Sequence, residues 1–261
     1  MRALFKRRNK RTKRTESAKE TVSGVGSGGT DPRHFLVQSV STRAAFPSSL
    51  QSNGDNNIPV ESSYEFVELG LGRAMVIRPY IFEDERGQFV ETFNRAQFDR
   101  RLGIEFVQDC VSVSRLHTLR GLHGDFRTWK LIHCPRGSVL ANIINLNPSS
   151  PTYFESKTIE INDRNREMLL VPPGFGNSFY VLEDDTVYSY KKTTYFRPGA
   201  EFTLHYTCVE WPAGIDPLLS KRDSTPPRNR EEFEKELRTR FDLENNPFLR
   251  RRTLSTLDEE E

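Results

Sequence analysis

The stretch Thr186–Phe196, "TVYSYKKTTYF", decides how this chain folds. Val187, Ser189 and Lys191 alternate with Tyr188 and Tyr190, and a period of two sends the two sets to opposite faces of an extended segment. Similar short runs rich in Val, Ile, Phe and Tyr recur on both sides. They are "AMVIRPYIF" (74–82), "SVLANIINL" (138–146), "SKTIEI" (156–161), "MLLVP" (168–172), "SFYVLE" (178–183) and "EFTLHYT" (201–207). Pro, Gly, Asn and Asp separate them. Many short strands at close spacing, with turn residues between, predict an all-β sandwich or barrel. One short helix is expected at "RAQFDRRLG" (95–103).

This strand-rich texture begins near Tyr64 and ends near residue 225, a run of roughly 160 residues, long enough for one well-buried core. The expected organisation is a basic, Ser/Gly-rich disordered arm over 1–62, a β domain over 63–226, and a charged helix and tail over 227–261. The first segment has no sustained apolar period and cannot bury enough surface to offset its ordering entropy. "GVGSGG" (24–29) within it formally matches a dinucleotide-binding pattern. No strand precedes it and no helix follows, so it reads as a linker. In the last segment Phe233, Leu237 and Phe241 space one apolar stripe along an amphipathic helix over 228–243. Beyond it, Arg252 three before Ser255 suits a basophilic kinase.

Composition narrows the class further. Mean hydropathy is −0.64, and no run reaches the 18 or so apolar residues of a membrane span. The net charge of +2 argues neither for nor against a nucleic-acid partner, and none is expected. Cys110, Cys134 and Cys208 form no CxxC pair, which predicts neither a disulfide framework nor a zinc site. The one Asn-x-Ser candidate, Asn147-Pro148-Ser149, is blocked by its proline. The N-terminus carries eight Lys or Arg in fourteen residues and no apolar stretch of the signal-peptide kind. A cytoplasmic location is expected.

Chemistry points to "LRGLHGDFRTWKLIHC" (119–134), where Arg120, His123 and Lys130 fall within eleven residues. None of the five histidines forms a His-x-His pair, so no metal is expected. His123 reads as following a turn, with "KLIHC" as the next strand. Two strands joined by a short loop can point Arg, His and Lys into one concave face. Such a pocket suits a phosphorylated substrate whose carbonyl becomes an oxyanion. A base near neutral pH, a cation for the enolate and an acid on the far face make up a proton-abstraction site. Tyr188, Tyr190 and Tyr195 all qualify as that acid on pattern alone.

"FEDERGQFVETFN" (82–94), "FVQD" (106–109), "LRGLH" (119–123), "KLIHCPRGSV" (130–139), "SPTY" (150–153), "VPPGF" (171–175), "YKKTTYF" (190–196) and "EWP" (210–212) occur in that order. Together, over about 66–225, they resemble the dTDP-4-dehydrorhamnose 3,5-epimerase family of the cupin superfamily. The resemblance implies a jelly-roll β-sandwich, a homodimer with exchanged strands, and a site with neither metal nor other cofactor. The implied substrate is a nucleotide-linked 4-dehydro-6-deoxy-D-glucose, inverted at C3 and C5 to the 4-dehydro-L-rhamnose form. The matched positions imply His123 as base, Asp223 as the carboxylate that orients it, Lys130 at the developing O4 enolate and Tyr190 as acid. They imply Arg86 and Arg120 at the diphosphate, Glu91 and Gln108 near the nucleotide, and Tyr195 stacked on the base.

Three departures bear on substrate contacts. Asn177, in "PPGFGNSF", stands where the family has a histidine close to the substrate; it cannot carry a proton but keeps hydrogen-bonding capacity. Cys110 replaces an asparagine of the family, and the loop before Lys130 is short. The choice between thymidine and uridine stays open. So do three alternatives: a non-catalytic cupin that binds a nucleotide sugar or a protein, a single-carbon epimerase, and a ketoisomerase.

Overall fold

The computed structural model describes residues 63–240, apart from Ala213. The basic arm, "GVGSGG", and the tail with Arg252 and Ser255 lie outside the described residues.

Thirteen strands and two α-helices are described. β1 (Tyr64–Glu68), β2 (Met75–Pro79), β10 (Met168–Val171), β7 (Lys130–Arg136), β12 (Thr186–Lys192) and β5 (Gln108–Ser114) form a six-stranded sheet in that order. β13 (Phe202–Thr203), β6 (Leu119–Gly124), β11 (Phe175–Val181), β8 (Ser138–Asn145) and β9 (Ser156–Asn162) form a second, five-stranded sheet. β3 (Ile81–Asp84) and β4 (Gly87–Val90) make a separate hairpin. The architecture is the cupin jelly roll, with neighbouring strands antiparallel throughout both sheets.

Alternation builds the core between the sheets. Ile132, Cys134, Leu169, Val171 and Tyr188 of the first sheet pack with Val139, Ala141, Ile143, Phe179 and Val181 of the second. The rings of Phe179 and Tyr188 stack across the gap at 3.8 Å between centroids. β8 is buried along its whole length, as its near-continuous apolar run requires. One face of it meets the first sheet. The other is covered by the C-terminal segment, where Leu146 and Ile144 meet Val209, Phe233 and Leu237.

The helices cover the remaining apolar faces. α1 (Arg95–Leu102) sets Phe98 over Ile77, Leu131, Met168 and Leu170 on the back of the six-stranded sheet. Its Asn94 cap accepts from the Gln97 amide, and Gly103 closes it at φ 64°. α2 (Arg230–Arg240) starts on a reciprocal cap: the Glu232 amide donates to Asn229 Oδ1 and the Asn229 amide group donates to Glu232 Oε1. Phe233 and Leu237 form its stripe, as their spacing predicts.

Several strand limits differ from expectation. Residues 74–82 are not one strand, because β2 ends at Pro79 and the hairpin begins at Ile81. In the stretch 201–207 only Phe202–Thr203 pairs. The His205 ring then accepts from the Thr207 amide and turns the chain into a 3₁₀ helix at Tyr206–Cys208. His123 lies within β6, paired to Asn177 and Thr203, rather than after a turn. Gly124 beside it admits close neighbours: a Cβ there would lie 2.1 Å from the Phe175 carbonyl oxygen and 2.6 Å from the Phe202 ring.

Phe233→Ala removes a ring that is 1% exposed and packs against Phe202 and Phe154. It should cost about 3–5 kcal/mol, read as a lower denaturant midpoint with an unchanged slope.

Candidate active site

β6 and β7 belong to opposite sheets, so the loop 125–129 that joins them crosses from one to the other. His123 and Lys130 therefore approach from facing sheets. The Lys130 ammonium donates to Asn177 Oδ1 at 2.7 Å and to the His123 carbonyl oxygen at 3.3 Å. The Asn177 amide group in turn donates to the Tyr188 hydroxyl at 3.5 Å. Asparagine at 177 thus accepts from the buried lysine, a role its amide oxygen fills without titrating.

On the far side of His123, Nε2 lies 2.6 Å from Asp223 Oδ1. The Ser220 hydroxyl donates to Asp223 Oδ2 at 2.7 Å, and the Asp223 amide donates back to Ser220 Oγ at 3.2 Å. Asp223 is 4% exposed. Burial pushes its carboxyl up, but the bonds from His123 and Ser220 and the nearby Arg222 charge prevail and hold it below the ordinary carboxylate value. An ionised carboxylate accepts only, so Nε2 carries a hydrogen and Nδ1 of a neutral ring keeps its lone pair. Among the described residues Nδ1 has no hydrogen-bond partner.

Two further groups have shifted proton affinities. Burial pushes the Lys130 ammonium down to about 8, against the opposing pull of Glu201 and Asp125. Burial likewise pushes the Tyr190 phenol up to about 12, and the Cys110 thiol next to it on β5 adds to the rise. Tyr190 is half-buried on β12 and packs against the core between the sheets, so its ring points inward. Burial also raises Tyr188, which stacks on Phe179. Tyr190 is the less buried of the two strand tyrosines.

The other expected contacts are dispersed. Gln108 and Cys110 lie on β5 beside β12, and the Gln108 amide group donates to Cys110 Sγ at 3.6 Å. The Phe196 amide donates to Gln108 Oε1, which ties the loop after β12 to β5. Tyr195 in that loop is 70% exposed. Arg120 is exposed and donates to Ser114 Oγ; with Ser114, Leu219, Ser220 and Asp223 it lines a groove of about 450 Å³. Glu91 accepts from the Tyr64 hydroxyl and the Asn94 amide group, away from His123. Arg86 sits on the exposed β3–β4 hairpin in an ion pair with Asp84. Within one chain, then, His123, Asp223, Lys130 and Asn177 are bonded together, and Tyr190, Gln108 and Arg120 line the same region. Arg86 and Glu91 make other contacts. Among the described residues no three His, Cys, Asp or Glu side chains come together as a metal-binding group.

Ser220 was not legible beforehand, although its spacing of three before Asp223 is that of a side-chain-capped turn. Lys192 was also passed over. The period of two that turns Tyr188 and Tyr190 inward turns Lys192 inward as well.

Comparison with known proteins identifies the family. A family model described as dTDP-4-dehydrorhamnose 3,5-epimerase matches residues 68–231. The enzyme of that name from Salmonella typhimurium is 31% identical over 170 residues, which is 62% of this chain and 93% of the relative. The crystal structure of the Sulfolobus tokodaii enzyme superposes with a TM-score of 0.61 at 32% identity, covering 67% of this chain and 97% of that one. A Legionella pneumophila 3,5-epimerase solved with dTDP-4-keto-L-rhamnose superposes at 0.60 and 31% identity, covering 63% and 92%. With a match over more than half its length, its cupin fold and these relatives, the chain belongs to the dTDP-4-dehydrorhamnose 3,5-epimerase family, a family of isomerases.

Proposed function

We propose that this protein inverts C3 and C5 of dTDP-4-dehydro-6-deoxy-D-glucose by proton transfer. The observation that carries the reading is the bonded group His123–Asp223 and Lys130–Asn177, with Tyr190 on the facing sheet. His123 Nδ1 takes the proton next to the ketone. The electron pair moves into the carbonyl, and the enolate oxygen that forms lies against the Lys130 ammonium. Asp223 steadies the imidazolium and fixes its tautomer. The Tyr190 phenol delivers a proton to the opposite face, and solvent restores both groups. No electrons are gained or lost, so the step needs no redox partner. A phenol near 12 stays protonated at neutral pH, as an acid must.

The nucleotide end of the substrate is read onto Gln108, Arg120 and Tyr195. Arg86 and Glu91 are read as contributions from a second copy of the chain, in a homodimer. Two features support the dimer. Val111 and Val113 are 65% and 61% exposed on the edge strand β5, and Phe82 and Phe89 are 50% and 69% exposed on the hairpin that carries Arg86. The three cysteines are free, which fits a reducing cytosol.

Incubating the protein with the dTDP sugar in D2O should place deuterium at C3 and C5, followed by NMR. Exchange at one carbon only identifies a single-carbon epimerase, and none from a folded protein refutes the reading. His123→Asn and Tyr190→Phe should each slow turnover about 10²–10⁴-fold with little change in dTDP affinity.

The low proton affinity of Lys130 sets a pH limit. If its ammonium is needed, kcat/KM should fall as pH rises above about 8. Lys130→Arg should move that alkaline limb upward, because a guanidinium keeps its proton.

Asp223 sets the acid limit of stability. Its affinity for protons is lower in the folded state, so its contribution is present above the ordinary carboxylate value and lost as pH falls through the depressed one. Asp223→Asn should lower stability by about 2 kcal/mol at pH 7. Thermal unfolding across a pH series should show that gap closing as pH falls below the ordinary carboxylate value.

A further inference from the structure

Lys191 and Lys192 are adjacent in sequence and face opposite ways. Lys191 points to the outer side of the six-stranded sheet, where it pairs with Asp109 at 2.8 Å and lies 4.8 Å from the Phe93 ring. Lys192 pairs directly with Lys130 on β7 and with Gln108 on β5. Directly opposed residues of antiparallel strands project from the same face. Lys130 reaches Asn177 on the other sheet, so Lys192 also faces the interior.

Lys192 is 5% exposed. Among the described residues its side chain makes no hydrogen bond and no ion pair, and its one cation–π neighbour is the Phe196 ring at 5.7 Å. An ammonium on so covered a side chain, with no acceptor and a ring only at the limit of cation–π range, has little to replace its lost hydration. The like-charged Lys130 directly opposite adds repulsion, and Lys192 contributes to the downward push on Lys130. Lys130 has Asn177 as acceptor and Glu201 and Asp125 nearby, whereas Lys192 has no acceptor among the described residues and is suited to receive an anion.

Position tells which anion. Along one row of the inner face, Lys192 sits between Gln108 and Lys130. Gln108 is tied to the loop of Tyr195 and Phe196, the proposed nucleotide end, and Lys130 is the proposed contact of the sugar's ketone. Between the base and the ketosugar of a nucleotide sugar lie the pentose and the diphosphate, and of these the diphosphate is the anion. We infer that Lys192 is a substrate-binding residue whose ammonium takes the diphosphate. This assignment rests on the nucleotide-sugar reading above.

The test is calorimetric titration of dTDP, and separately of thymidine, into the wild type, Lys192→Met, Lys192→Gln and Lys192→Arg. Loss of a charged hydrogen bond should weaken dTDP at least about tenfold in the Met and Gln variants, with Arg retaining most of the affinity. Thymidine, which has no phosphate, should bind all four alike. The Gln variant serves if the Met variant misfolds. Equal dTDP affinity in the wild type and either folded neutral variant overturns the assignment and leaves the epimerase reading standing. Failure of the wild type to bind dTDP overturns both.

Discussion

The structure depends on holding two bonded polar groups, His123–Asp223 and Lys130–Asn177, inside a β-sandwich. Each joins side chains from different elements. Asp223, after the last strand, receives hydrogens from His123 on β6 and from Ser220 in its own turn. Lys130 on β7 is received by Asn177 and by the backbone of β6. Packed sheets lie about 10 Å apart, a gap that two polar side chains can span end to end. The closeness of His123 to Lys130 is thus a property of the sandwich and not of the loop between them.

That constraint explains how the chain tolerates its departures. A histidine at 177 next to Lys130 would bring a second titrating group to an ammonium already depressed by burial. Asparagine removes that titration and still offers an acceptor at 2.7 Å. Cys110 is similar in effect, since its thiol is a weak partner for both Gln108 and Tyr190 and leaves the phenol's proton affinity high. Both changes leave the His123–Asp223 pair intact.

Much of the fold was legible because period-two patterning and turn residues are local signals. β8, β9 and β10 fall within a residue of their expected limits, β12 starts as expected but ends at Lys192, four residues before Phe196, and the described parts of both helices lie within their expected stretches. Sheet membership was not legible. "LRGLH" and "KLIHC" look like consecutive strands of one face, yet antiparallel pairing with β11 and with β10 and β12 assigns them to different sheets. Such pairings join residues 35–62 apart in sequence, and no local pattern encodes them. Asp223 is separated from His123 by 100 residues and stands in a charged stretch that reads as a solvated loop. Only the ordered family motifs singled it out. Lys192 was legible from alternation alone, but a lysine in a strand is ordinarily taken for an outward one.

The C-terminal segment connects stability to chemistry. The five-stranded sheet leaves Leu122, Ile144 and Leu146 on its outer side, and these need a cover. Phe202, Leu204, Val209 and then Phe233 and Leu237 of α2 supply it. The segment between them also closes over Leu119, Leu140 and Tyr180 through Trp211, Ile215 and Leu219. Asp223 lies on this covering chain, four residues after Leu219 and ten before Phe233. Its carboxylate therefore reaches His123 only when the cover is seated. The apolar contacts that hold the segment down therefore also support the tautomer of the proposed base, so loosening the cover would leave the imidazole without its orienting charge.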